Sequence, residues 1–147
     1  MLKIYLDNCC YNRPFDDLSF ERNRLEANAK IFIQSLVKYK SVMLYYSFMS
    51  QIEVDDNPFE ENKACILNFI NENASGFIGK NHFTEIEELA AKIINTGIKK
   101  KDATHLACAI LAKCNYFITT DDRVLKYKTD EIEIVNPIKF IEIWRTF

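Results

Sequence analysis

The chain has 147 residues, of which 48% are hydrophobic and 27% are charged. This length suits one hydrophobic core and is short for two, so we predict a single domain over residues 1–147. A formal net charge of −2 argues against a protein that coats nucleic acid non-specifically, although local patches decide specific binding. No apolar run approaches the roughly 20 residues that cross a bilayer, and the first residues lack a signal peptide's apolar run. We therefore expect a cytoplasmic protein with no membrane partner.

The first third of the chain alternates a short apolar segment, a polar loop and a helical pattern. Lys3 to Leu6 is predicted as a buried strand, Asn8 to Leu18 as a loop, and about Phe20 to Val37 as a helix. The helix has apolar residues at helical spacing, namely Leu25, Ala29, Phe32 and Leu36. Its charged residues are predicted to face outward, namely Arg22, Arg24, Glu26 and Lys30.

The middle of the chain repeats this alternation. Ser41 to Tyr46 is predicted as a second strand, followed by a short helix from Ser47 to Glu53. The run Asn57-Pro58-Phe59-Glu60 then predicts a helix start, with the asparagine as cap and the proline in first position. Ser75 to Ile78 is a third, weaker strand.

Two further strands and three helices are predicted in the last third. Thr84 and Glu87 form a capping box for one helix, which Gly97 ends, and Asp102 opens the next. The remaining predicted elements are strands at Tyr116 to Thr119 and Ile132 to Val135, and a last helix from Asn136-Pro137. Strands that alternate with amphipathic helices predict an α/β fold, with a mostly parallel central sheet between two helical layers.

Acidic residues stand where such a fold places its ligands, beyond the carboxyl ends of strands. Asp7 ends the first predicted strand and Asp121 follows the fourth, while Asp102 begins a helix and Glu53 lies in a short one. Each has an ordinary interpretation as well. Asp7 could be a solvated turn residue and Asp121 a helix cap. Asp102 could be an acid at a helix dipole, and Glu53 a surface glutamate. His105, one turn after Asp102, is interpreted as a partly buried histidine rather than a partner of an acid.

The order of these acids resembles the PIN-domain family, and in particular its VapC-like toxin ribonucleases. The most specific segments are Asp102-Ala-Thr-His-Leu-Ala-Cys-Ala and Ile-Thr-Thr-Asp121, and the resemblance runs from the first strand to the closing Val-Asn-Pro and helix. It implies an α/β/α sandwich with an acidic cluster that binds Mg²⁺ or Mn²⁺ and cuts RNA. By position, the four acids are Asp7, Glu53, Asp102 and Asp121. Such a cluster supplies the oxygen ligands that these cations prefer.

The chain departs from the family pattern at two points. Many members follow the first aspartate with Thr or Ser, whereas this chain has Asp7-Asn8-Cys9, so that Asn8 is the candidate polar helper. The doublet Asp121-Asp122 leaves two candidates for the fourth acid, and the spacing from Thr119 favours the first.

The expected substrate is RNA, held by polar and basic residues near the acids. Candidate contacts are Asn8, Arg13, Lys101 and Arg123, with further cations in Lys99-Lys100, Lys126 and Lys128. Tyr11 and Phe15 are weaker candidates for stacking on bases. The resemblance also implies possible protein partners, an antitoxin or a second copy of the chain.

Two other functions are open on the sequence. A PIN-like module that binds RNA or protein without cutting it is the main alternative, because of the departures around Asp7. A nucleotide-binding domain or phosphatase is disfavoured, since the chain has neither G-x-G-x-x-G nor a P-loop motif.

Overall fold

A five-stranded parallel sheet organises the computed structural model, which describes residues 1–12 and 17–147. The strands are β1 (Lys3–Leu6), β2 (Met43–Ser47), β3 (Gly76–Ile78), β4 (Tyr116–Ile118) and β5 (Glu133–Val135). They lie in the order β3-β2-β1-β4-β5, and every neighbouring pair is parallel. All five predicted strands are therefore confirmed, with small shifts at their ends.

The helices lie between the strands and after the last one. They are α1 (Asn8–Asn12), α2 (Glu21–Lys38), α3 (Phe48–Asp55), α4 (Glu60–Asn73), α5 (Phe83–Ile94), α6 (Lys100–Leu111), α7 (Asp122–Leu125) and α8 (Pro137–Trp144), and a 3₁₀ turn at Lys80–His82 precedes α5. Helix α5 ends at Ile94, earlier than the predicted end at Gly97. Gly97 lies in the turn that follows, where its φ of 102° favours glycine. Among residues 1–12 and 17–147, no helix has the length and apolar character needed to span a membrane.

Helices cover both faces of the sheet because side chains alternate along each strand. Ile4 and Leu6 point into one core, which α2, α4 and α8 complete, and Tyr5 points into the other, which α5 and α6 complete. The predicted α/β architecture with helices on both sides is thus confirmed.

The strand order reverses at β1, which is the middle of the sheet. From β1 the chain passes to β2 and β3 on one side, and it later crosses to β4 and β5 on the other. The carboxyl ends of β1 and β4 are consequently adjacent, and the backbone N–H of Asp7 donates to the carbonyl of Ile118 at 2.9 Å. A crevice at such a reversal is the usual ligand site of an open α/β sheet.

The segment after β1 differs from the predicted loop. Residues 8–12 form the single-turn helix α1, in which Cys10 and Tyr11 are buried. The thiol of Cys10 donates to the carbonyl of Ile118 at 3.2 Å, so this turn packs under the end of β4. Burial of Tyr11 contradicts its predicted role in stacking on bases. Arg13 and Phe15 lie outside the described residues.

Helix α2 buries Ala29 and Leu36 as predicted, but three of its residues depart from the prediction. Glu26 and Lys30 were predicted to face outward but are 1% and 0% exposed, whereas Leu25 is 45% exposed. The ammonium group of Lys30 lies 5.2 Å from the ring centroid of Tyr11 and 5.4 Å from that of Phe69. A lysine can be buried here because its stem is apolar and aromatic faces attract its cation.

Two predicted helix starts are also wrong. The side chain of Asn57 accepts a hydrogen bond from the backbone of Phe59 in the turn before α4, and the helix itself begins at Glu60. Thr84 is the second residue of α5, which follows directly from the 3₁₀ turn without a side-chain cap. At α8 the predicted asparagine cap is confirmed.

Candidate active site

The four predicted acids meet at one cleft beside the carboxyl ends of β1 and β4. The acidic cleft has a volume of about 620 Å³ and is lined by Asp7, Glu53, Asp102 and Asp121. Its other lining residues are Asn8, Cys9, Asp56, Lys99, Lys100 and Lys101. Glu53 and Asp102 lie in α3 and α6, and Asp7 and Asp121 follow β1 and β4. The fold therefore brings together acids from four separate parts of the chain.

Asp7 forms the buried floor of the acidic cleft. It is 5% exposed, and its Oδ1 accepts a hydrogen bond from the backbone N–H of Asn8 at 2.8 Å. Its Oδ2 accepts one from the hydroxyl of Thr119 at 2.8 Å. A buried carboxylate is expensive unless it is hydrogen-bonded, and these two bonds meet that requirement. The solvated-turn interpretation of Asp7 is therefore wrong.

Thr119 is a site residue that the sequence reasoning did not assign. Its hydroxyl donates to Asp7 and accepts a hydrogen bond from the backbone N–H of Asp121 at 3.1 Å. It follows β4 directly, and β4 pairs with β1 so that Leu6 lies opposite Ile118. Its position could have indicated this role from the sequence, because a polar residue just beyond β4 lies close to the residue that follows β1. Thr119 links the first and fourth acids through one hydroxyl group.

Glu53 is held by a chain of buried hydrogen bonds. Its Oε1 lies 2.8 Å from Nε2 of His105, and Nδ1 of His105 lies 2.6 Å from the hydroxyl of Tyr5. That hydroxyl also contacts the hydroxyls of Ser47 at 2.6 Å and Ser50 at 3.1 Å. Both serines belong to the capping box that begins α3, the helix that carries Glu53.

His105 is therefore a partner of an acid, contrary to the interpretation from the sequence. It is fully buried, and both of its ring nitrogens are hydrogen-bonded. Burial lowers the pKa of His105, but the bond to Glu53 and the charges of Asp7, Glu53 and Asp102 outweigh it, so the net pKa is raised. Glu53 consequently faces a positively polarised group on one side and the acidic cleft on the other.

Asp102 lies in the first turn of α6, where a carboxylate is favoured by the helix dipole. Its pKa is nevertheless raised from 3.8 to about 6, first by burial and then by the negative charges of Asp7 and Asp121. The cluster thus destabilises the ionised form of its own member. These causes agree with the position of the four acids around one cleft.

The doublet after β4 divides its two acids between different roles. Asp121 lines the acidic cleft, and its Oδ1 caps α7 by accepting from the backbone N–H of Arg123 at 2.9 Å. Asp122 is exposed and forms a two-pronged ion pair with Arg22, at 2.9 and 3.0 Å. The hydrogen bond to Arg22 lowers the pKa of Asp122. Asp121 is thus the member of the doublet that lies with the other acids.

The carboxylate oxygens of the acidic cleft are ligands of the kind that hard divalent cations prefer. Among residues 1–12 and 17–147, no group of three or more His, Cys, Asp or Glu side chains is placed so that it could hold a metal ion. Mg²⁺ commonly binds through one or two carboxylates and keeps several waters. An open cleft lined by carboxylates leaves room for such a hydrated ion. A site in which side chains supply all the ligands would need its carboxylates closer together.

The predicted substrate contacts are spread over more than one surface. Asn8 and Lys101 line the acidic cleft. Arg123 lines a neighbouring cleft instead, together with Lys99 and Asp102. Arg13 was also predicted to contact substrate, and it lies outside the described residues.

Comparisons with known proteins identify similar folds. Neither a protein-family model nor a curated protein sequence matches the chain. A chain in the crystal structure of VapBC2 from Rickettsia felis, bound to a DNA fragment from their promoter, is 14% identical with a TM-score of 0.58. A chain in the crystal structure of FitAcB from Neisseria gonorrhoeae is 18% identical with a TM-score of 0.57. Each alignment covers 92% of this chain and 98% of the other, so the likeness concerns the whole fold.

Proposed function

We propose that the protein is a PIN-like endoribonuclease that uses Mg²⁺ or Mn²⁺ to hydrolyse RNA phosphodiesters, and that it is the toxin of a toxin–antitoxin pair. One observation carries the nuclease proposal. Four acids from separate parts of the chain line one cleft where the strand order of a parallel sheet reverses, namely Asp7, Glu53, Asp102 and Asp121. The family resemblance of the sequence assigned these same four residues.

The chain's own residues would bind the cation and orient the attacking water. Asp7, Asp102 and Asp121 would hold the cation, and Glu53 would hold it as well or position the attacking water. A divalent cation at this site supplies charge stabilisation at a phosphate oxygen and lowers the pKa of a bound water. Thr119 fixes Asp7, and His105 fixes Oε1 of Glu53, so neither carboxylate has to be reoriented for each reaction.

Residues at the edge of the acidic cleft would position the RNA. Lys101 and Asn8 both line the cleft. Lys101 is exposed and Asn8 is half-buried. A phosphate beside four carboxylates is repelled by them, and a lysine at the edge offsets that repulsion. We assign Lys101 and Asn8 to phosphate contacts next to the cleaved bond, and Arg123 to the strand beyond it.

The toxin assignment is supported by the fold and the sequence together. The fold is shared with chains in the VapBC2 and FitAcB structures, and the sequence resembles VapC-like toxins. The pairing implies an antitoxin protein as partner. Co-expression with the product of an adjacent gene, followed by co-purification and recovery of growth, would test this part of the proposal.

Metal-dependent cleavage of a pool of structured RNAs tests the nuclease. The parent protein should cut with Mn²⁺ or Mg²⁺ and not with EDTA, and Asp7→Asn and Asp102→Asn should each abolish cutting. Asp122→Asn is the matched control, because Asp122 is adjacent to the cluster but paired with Arg22. Equal cutting by the parent and both cluster variants would contradict the proposed site.

A non-cleaving binding module is the second candidate. The observation that favours it is that no metal-enclosing group of side chains is gathered among residues 1–12 and 17–147. If the parent protein retains RNA but cuts none of it with either cation, this second function replaces the first.

A further inference from the structure

A second cleft lies beside the acidic one and has the opposite charge. The basic cleft has a volume of about 520 Å³ and lies between the α5–α6 connection and the segment from α7 onward. Its cations are Lys99, Arg123, Lys126 and Lys128, and its remaining lining residues are Thr96, Gly97, Ile98, Asp102 and Tyr127. Asp102 is the one acid among these described lining residues.

The four cations are free to bind a ligand. All four side chains are exposed, and none forms an ion pair with another described residue. Like charges gathered on one surface repel one another, so this arrangement favours the binding of a polyanion. In contrast, Arg22 is already neutralised by Asp122 and Glu26.

The basic cleft is continuous with the acidic one. Lys99 and Asp102 line both. A chain of phosphates that lies along the basic cleft therefore reaches the acids at Asp102. A ligand with one phosphate would use only part of this surface, whereas a polynucleotide strand would use all of it.

An aromatic side chain stands among the cations. Tyr127 is half-buried, packs against the core of α5 and α6, and lines the basic cleft with its remaining surface. Cations that follow a backbone, together with an aromatic face for bases, are the usual means of binding single strands. Bases stacked inside a duplex are not available to such a face.

We propose that the basic cleft binds the backbone of a single-stranded polynucleotide and leads it to the acidic cleft. Lys99, Arg123, Lys126 and Lys128 bind successive phosphates, and Tyr127 stacks on a base. This inference rests on the proposed nuclease function for its orientation, but binding itself requires neither metal nor cleavage.

Binding in EDTA tests the inference separately from catalysis. The probe is a fluorescein-labelled single-stranded RNA of roughly 12 nucleotides, within the site sizes of about 4–16 nucleotides seen in single-strand grooves. Fluorescence anisotropy gives Kd at each of several salt concentrations from about 50 to 200 mM. Removing a phosphate contact reduces the slope of log K against log salt by about 0.7 for single strands.

The double variant Lys126→Gln/Lys128→Gln should therefore lose about 1.4 from the slope. The matched control is Lys38→Gln/Lys92→Gln, which removes the same charge from exposed positions outside both clefts. Its slope should stay within experimental error of the parent. Equal melting temperatures of the two double variants would show that both keep the fold. Tyr127→Leu should raise Kd about 5-fold or more by removing a stacking face.

Several outcomes overturn the inference. These are an equal slope for the two double variants, equal or tighter binding of a duplex of the same sequence, and no binding of either RNA. Cleavage with Mn²⁺ or Mg²⁺ is measured separately from binding in EDTA. If the parent cuts RNA but the slope of Lys126→Gln/Lys128→Gln is unchanged, the nuclease proposal stands without this subsite. If that slope is reduced but the parent does not cut, the subsite stands without the nuclease.

Discussion

Replacing Asp102 with asparagine is expected to stabilise the metal-free protein at neutral pH. Burial, Asp7 and Asp121 raise the pKa of Asp102 from 3.8 to about 6. A carboxyl group whose pKa rises on folding opposes folding when it is ionised in both states. An uncharged amide of nearly the same size removes that opposition. The same substitution should abolish RNA cleavage, so stability and activity are expected to change in opposite directions.

The size of the effect is limited by solvent. Asp102 is about half buried, so screening reduces the stabilisation to on the order of 1 kcal/mol. For a chain of this length that corresponds to a rise in Tm of about 2–4 °C. The gain depends on pH in a defined way. It is absent below about 3.8, where the group is protonated in both states, grows as the pH rises to about 6, and is constant above that.

Urea unfolding in EDTA, repeated across roughly pH 4 to 8, measures this difference. Asp122→Asn is the control, because the hydrogen bond to Arg22 lowers the pKa of Asp122. The ionised carboxylate of Asp122 therefore favours folding at any pH above its pKa in the unfolded state. That control should not stabilise the protein at neutral pH. If Asp102→Asn gives no gain at pH 7, or a gain that does not change with pH, then Asp102 is not repelled by its neighbours and the electrostatic reasoning fails.

Three further substitutions are expected to change stability or metal binding. Thr119→Val removes a hydrogen bond to the carboxylate of Asp7 and should lower the free energy of unfolding by about 1.5–3 kcal/mol, which urea unfolding measures. Lys30→Met should stabilise the protein at pH 7, because burial lowers the pKa of Lys30 to about 8, and the gain should shrink as the pH rises from about 8 towards 10.5. His105→Phe should weaken Mn²⁺ binding about 10–100-fold by releasing Glu53, as titration calorimetry would show. Its stability deficit should be largest below about pH 6.5 and should fade as the pH rises through the raised pKa of His105.

The order of strands and helices was predictable because local periodicity encodes it. Lys3–Leu6 was predicted to the residue, since an apolar run that stops at an acid defines both the strand and its end. Parallel pairing then followed from the alternation with helices. The two acids that follow β1 and β4 were predictable for the same reason, as strand ends at the reversal of the strand order.

The contacts between the acids and their partners were not predictable in the same way. His105 and Glu53 are separated by 52 residues, and His105 and Tyr5 by 100. No local pattern distinguishes a histidine that binds a distant carboxylate from one that fills a core. The predicted exposure of Lys30 on α2 was wrong for a related reason. Charged residues are usually exposed, but the rings of Tyr11 and Phe69 receive Lys30.

Buried or crowded charges oppose folding, and their distribution separates structural residues from functional ones. Lys30 is buried away from both clefts and has no hydrogen-bond partner among the described residues, so a hydrophobic side chain would serve the fold as well or better. Asp102 is different, because it is half exposed, lies at the junction of two clefts and is repelled by acids from other elements. The convergence of the four acids is disfavoured by their own charges and would be relieved by a bound cation, which is why it supports the proposed metal site more strongly than any of the four acids does alone.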